Sequence, residues 1–241
     1  MRPIGILAAV AITCASIAGA TEAYREAALF EWDRLAIDVI ILPPGHGQIY
    51  NDAGLLPAGT ADLHPLANSY AAAAERGAGL WQAAVRATGV PWLAQSLRID
   101  IYVAGRDAIP QQVASDPEIL LAFHETSGPI LGTSWGRGQP CVASVAKAAH
   151  ASFTPNDVTN LAAHEVGHCL GLAHLDLPVP GGDLMQTIYQ HPDGLQSTPV
   201  HCPSNLNLLT LERVFMRAAG RGPGGGTAAI SPADYRQPGA C

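Results

Sequence analysis

His164-Glu165-Val166-Gly167-His168-Cys169-Leu170-Gly171-Leu172-Ala173-His174 decides how this chain is read. Ahead of it, Thr154-Pro155 places an N-cap residue before a proline at the first helical position. Asp157 adds a negative charge to the first turn, where the helix dipole favours it. Val158, Leu161, Ala162 and Val166 form an apolar face. The pattern therefore predicts a helix ending near Gly171. On it His164 and His168 are four residues apart, so their rings share one face about one turn apart. If the helix continued, His174 would lie ~9 Å further along the axis and off that face. The chain must stop and turn back, and Gly171 can take a left-handed turn without a Cβ penalty.

With that turn, three neutral imidazoles can close on one zinc ion at ~2.0–2.1 Å and leave a fourth position for water. Three protein ligands with an open position is the catalytic rather than the structural zinc pattern. Glu165 is next to the first ligand but rotated away from coordination. It is placed to take a proton from a zinc-activated water as general base and to pass it to a leaving amine. The ion would polarise the scissile carbonyl and stabilise the oxyanion. In a chain of this composition the pattern H-E-x-x-H-x-x-G-x-x-H arises by chance about once in twenty thousand sequences. An amphipathic helix with incidental surface histidines is therefore the poorer reading.

The segment resembles the zinc signature of the metzincin metallopeptidases, the matrixins and the small secreted snapalysin-type bacterial enzymes in particular. The likeness is strong over 154–189 and looser over 35–150 and 200–219. It implies an α+β zincin fold: a mixed twisted sheet with long helices in an N-terminal lobe, a zinc helix at the cleft floor, and a small irregular or helical C-terminal lobe. It also implies a methionine turn beneath the metal. Asp183-Leu184-Met185, eleven residues after His174, fits that turn, with Met185 packed under the ligands and not itself a ligand. The strand near 130–135 would be the cleft's edge strand and would pair with an extended peptide substrate, and the loop 186–199 would wall the pocket. The chain departs from the family in three places. Snapalysin-type enzymes carry Asp where His174 stands. No cysteine lies where a matrixin propeptide switch would be. Thr187 stands two residues after Met185, where some metzincins have Tyr, and Tyr189 comes later.

Outward from the motif, Leu35–Leu42 is apolar and β-branched, stopped by Pro43-Pro44, and reads as a buried strand. Ala67–Ala87 reads as a long helix, ended by Gly89-Val90-Pro91. Leu97–Val103 alternates apolar and polar like a half-buried strand. Asp116–His124 fits a strand or a short helix. Ile130–Trp135 and Cys141–Ala146 are two short strands. Leu206–Ala219 is a helix. Thr21–Phe30 looks helical, as part of a short leader over 21–34. Residues 221–241 read as a loosely packed Gly/Pro-rich tail. The expected organisation is a single catalytic domain over 35–220, its N-lobe about 35–171 and its C-lobe about 172–220.

The chain has 241 residues, 48% of them apolar and only 14% charged, so it can bury a sizeable core. A net charge of −7 offers no basic face for phosphates, so nucleic acid is not an expected partner. Residues 1–20 have the pattern of a secretory signal peptide: Arg2, an apolar run from Ile4 to Ala18, and Ala18-Gly19-Ala20 before the cleavage point. That implies a secreted protein without stable membrane insertion, and a monomer is expected. Its loss would remove Cys14 and leave Cys141, Cys169, Cys202 and Cys241, enough for two disulfides in one of three connectivities. Cys169–Cys202 with Cys141–Cys241 is the expected pairing. No calcium-loop pattern is seen, and calcium dependence stays open. The expected function is a secreted zinc endopeptidase. The competing expectations are a catalytically inactive zinc-binding protein on the same fold and a zinc hydrolase of a non-protein amide.

Overall fold

The computed structural model describes residues 22–43, 68–124, 132–135, 141–146, 154–186, 199–238 and 241. The proposed signal peptide, the loop 46–65 and nearly all of the pocket-wall loop lie outside them. The architecture is mixed α+β, built on two sheets. The larger contains β2 (Ala36–Ile41), β3 (Arg98–Val103), β4 (Ile119–His124), β5 (Gly132–Trp135) and β6 (Cys141–Ala146), in the order β3-β2-β4-β6-β5. All pairs are parallel except β5 with β6, which is antiparallel and leaves β5 at the sheet's edge.

The near-continuous apolar run of β2 is what a strand buried on both faces requires. Ile37, Val39 and Ile41 face two helices, α1 (Asn68–Ala87) and α4 (Pro155–Cys169), across the main core. Ile40 and Leu42 face the opposite side with Leu120, Ala122 and Val142. Two short helices, α2 (Pro91–Ser96) and α3 (Gln111–Ser115), precede β3 and β4. Pro91 both ends α1's reach and opens α2. The ambiguous segment before His124 is the strand β4, its residues paired with β2 and β6.

α1 and α4 cross closely because Gly77 has no side chain. A Cβ there would lie 2.5 Å from the Thr159 carbonyl oxygen. The Trp81 indole N–H donates to the Ala163 carbonyl oxygen at 2.7 Å, locking the same contact. α4 starts as its sequence predicts. Thr154 accepts from the Asp157 N–H at 3.3 Å, and the Asp157 carboxylate accepts the Thr154 N–H at 2.7 Å.

The structure corrects three expectations. Residues 24–28 are not helical. They form β1 (Tyr24–Ala28), the central strand of the order β7-β1-β8, between β7 (Leu172–Leu175) and β8 (Thr227–Ile230). Pairing on both sides supplies backbone hydrogen bonds that outweigh the helical propensity of Glu-Ala-rich sequence. The tail is not loosely packed either. β8 pairs with β1 from Tyr24↔Ile230 to Ala27↔Thr227, and Asn205 of α5 (Asn205–Phe215) exchanges hydrogen bonds with the Arg236 backbone at 3.0 and 2.8 Å. Finally, the disulfides are Cys141–Cys169 and Cys202–Cys241, not the expected pairing. Cys169 ends α4 on its sheet-facing side, where β6 begins with Cys141, so the nearest thiol is the strand's and not that of Cys202.

Candidate metal centre

His164 and His168 project from α4, and His174 comes back to them on β7. The reversal happens at Gly171, whose φ of +101° is in the left-handed region. A side chain there would also press on Val214 and the Phe30 carbonyl. The Gly171 N–H donates to the His168 carbonyl at 2.9 Å, closing the helix end.

The three Nε2 atoms form a nearly equilateral triangle with sides of 3.0, 3.1 and 3.1 Å. On the far side of two rings the Nδ1 atoms are already committed. His164 Nδ1 lies 2.6 Å from the Leu184 carbonyl oxygen, and His168 Nδ1 lies 2.7 Å from that of Leu172. A carbonyl can only accept, so each Nδ1 carries the proton and each Nε2 presents a lone pair. Burial holds both rings neutral, pushing His164 down to about 3 and His168 to about 4, with neighbouring imidazoles opposing charge as well. His174, more exposed, is lowered too, by burial.

The lone pairs of His164 and His168 converge and repel unless a proton or a cation sits between them. A tetrahedral zinc at ~2.0–2.1 Å sets its ligands ~3.3 Å apart, within a few tenths of an ångström of the observed triangle. The donor set therefore fits a borderline-soft divalent ion. Among the described residues no other group of three His, Cys, Asp or Glu side chains comes together in this way.

Glu165 is outside the donor set. Its side chain is 4% exposed, and the Ser134 hydroxyl of the edge strand β5 donates to its carboxylate. Burial pushes that carboxyl up to about 8, against the lowering effect of Ser134.

Met185 is fully buried under α4. A Cβ on Gly167, between the two helical histidines, would meet Met185 Sδ at 2.5 Å and Trp81 at 2.7 Å. The turn that carries Met185 holds one imidazole and the strand bearing another through its backbone. The Leu184 carbonyl takes the His164 proton, and the Met185 carbonyl accepts the Leu175 N–H at 2.9 Å, beside His174. Asp176, two residues past His174, holds β1 by accepting the Arg25 N–H at 2.8 Å. Tyr189 and Thr187 lie outside the described residues.

Sequence reasoning missed Ser134 and the supports of the Met185 turn. The turn had a local signal, since an aspartate commonly accepts from the backbone N–H two residues on, as Asp183 does from Met185 at 2.8 Å. Ser134 had none, because its contact depends on how β5 lies against α4. No model of a known family matches the chain, and no curated protein matches it.

Proposed function

We propose that this chain is a secreted zinc-dependent endopeptidase of metzincin type, cleaving peptide bonds with Glu165 as general base. One observation carries the reading: three imidazole nitrogens, two of them fixed as lone-pair donors by backbone carbonyls, converge at 3.0–3.1 Å with a buried carboxyl in the adjacent position. His164, His168 and His174 would hold the ion. When bound, zinc supplies Lewis acidity, polarising a substrate carbonyl and making water acidic near neutral pH.

The protein's own groups do the remaining work. Carbonyl contacts at Leu184 and Leu172 keep the first two rings in one tautomer and orientation. Among the described residues no basic side chain pairs with the buried Glu165, so with a dication held by the triad its pKa would fall and it would stand as a carboxylate able to accept a proton. Ser134 orients that carboxylate and links it to β5. As the edge strand, β5 suits an extended peptide added alongside it, which supports a polypeptide substrate over a small amide. Two disulfides are consistent with an oxidising, extracellular setting. No helix among the described residues is long and apolar enough to cross a membrane.

The test is hydrolysis of casein or a quenched peptide library by the wild type and by Glu165→Ala at matched zinc content. The expected result is one zinc bound to each and a loss of at least about 100-fold in the variant, the usual weight of a general base. Zinc binding by both with no hydrolysis by either would favour the binding-protein reading. Cleavage by both would remove Glu165 from its role.

A further inference from the structure

Behind the metal-facing side of the Met185 turn lies a buried polar network that the proposed chemistry does not use. Its centre is Asp183, 6% exposed. One carboxylate oxygen, Oδ1, accepts the Met185 N–H at 2.8 Å and the Asn207 Nδ2–H of α5 at 3.2 Å. The other, Oδ2, accepts the Tyr235 hydroxyl at 2.5 Å. The Asp183 backbone closes the turn, its N–H donating to Gln186 Oε1 and its carbonyl accepting the Gln186 N–H, both at 3.2 Å. Asn207 also donates to Glu26 of β1 at 2.9 Å, so the network ties together the turn, α5, β1 and the segment that follows β8.

Tyr235 is itself held in place. Its ring packs edge-on against Tyr24 at 5.5 Å, it follows β8, and Cys241 is bonded to Cys202 six residues further on. A buried carboxylate that accepts three hydrogen bonds from three separate segments fixes the turn more tightly than any one bond could. The turn in turn sets His164, through the Leu184 carbonyl, and the strand carrying His174, through the Met185 carbonyl.

We infer that Asp183 and Tyr235 are positioning residues for the metal centre, and that the C-terminal segment sets the geometry and affinity of the histidine triad from a place it never touches. The inference rests on the triad being a metal site. Partners that orient ligands from behind typically account for 10–100-fold in metal affinity, and here the orientation passes through backbone carbonyls rather than a carboxylate on the imidazole itself.

The experiment is a zinc titration of the full chain, disulfides intact, against a chromophoric chelator, with the visible spectrum of the Co2+-loaded protein recorded in parallel. Tyr235→Phe removes only the hydroxyl and should weaken zinc about 10-fold. Asp183→Ala should weaken it about 100-fold and alter the Co2+ bands. Asp183→Asn keeps an acceptor for Met185 and should restore most of the affinity. Gln82→Ala is the control, because it removes the 2.6 Å bond from α1 to the Ile99 carbonyl of β3 and touches neither Asp183 nor the segment that carries Tyr235. It should lower the melting temperature of the metal-free chain and leave zinc affinity unchanged. If Tyr235→Phe and Asp183→Ala bind zinc within twofold of the wild type, or if Gln82→Ala weakens zinc as much as they do, the positioning role is wrong. A wild type that binds no zinc overturns the metal-site reading and this inference with it.

Discussion

Replacing Glu165 by Gln should stabilise the metal-free protein while abolishing the proposed hydrolysis. The carboxyl is 4% exposed, has Ser134 as its partner, and is pushed by burial from 4.5 up to about 8. Because the folded-state pKa is raised, this group's contribution is fully present below 4.5 and is lost as pH rises through about 8, since the unfolded chain releases a proton that the folded chain keeps. Each pH unit across that window costs about 1.4 kcal/mol, so the loss near pH 7 is about 3 kcal/mol. Gln has the same shape and no charge to desolvate. Metal-free Glu165→Gln should therefore be about 3 kcal/mol more stable than metal-free wild type near pH 7, and less than about 1 kcal/mol more stable near pH 5. His164 and His168 act in the opposite direction. Their pKa values are lowered to about 3 and 4, so their contribution is present above 6.5 and is lost on acidification. They are common to both proteins and drop out of the difference. Urea unfolding of chelator-treated samples, followed by tryptophan fluorescence at the two pH values, measures it. A difference that does not change between the two pH values would refute the reasoning, since it would mean the carboxyl ionises as freely in the fold as in water.

Two glycines on α1 should respond with opposite signs. Gly77→Ala places a Cβ 2.5 Å from the Thr159 carbonyl oxygen and 3.0 Å from the Ala163 nitrogen, backbone that cannot yield, and should cost about 1–3 kcal/mol. Gly79→Ala meets nothing within 4 Å and should gain up to ~1 kcal/mol of helix propensity, so thermal melting of the two variants should bracket the wild type. Replacing Cys141 and Cys169 together by Ala should cost about 3–4 kcal/mol for their 28-residue separation, and peptide mapping under non-reducing conditions should recover 141 linked to 169.

What could be read in the sequence was what depends on spacing along the chain. The i, i+4 histidines, the Thr154 cap and the turn at Gly171 follow from helix geometry over a few residues. Each has its counterpart in the structure, in a capping box and a φ of +101°. The run Ile37–Ile41 announced a strand buried on both faces for the same reason. The failures share a cause as well. Residues 24–28 carry good helix formers, and nothing local says that Glu26 will lie opposite both Leu175 and Ala228. Nor does anything near Cys169 favour Cys141 over Cys202, because the choice depends on which strand lies under α4.

These non-local features gather at one place. The first two imidazoles sit on a helix whose own sequence makes it, and they can be recognised by eye. The third sits on a strand of only four residues, too short to hold its position unaided. It is kept in place by β1, drawn from the start of the described chain, by β8 from its end, and by the Met185 turn, which Tyr235 anchors through Asp183. The motif therefore specifies which atoms would meet a metal, while β1, β8 and Tyr235, all remote in sequence, act with the nearby Met185 turn to set how rigidly those atoms are held. A variant that leaves all eleven motif residues intact can still disable the centre: Tyr235 carries no signature in the sequence, and Asp183 signals the turn it closes but not its bond to Tyr235.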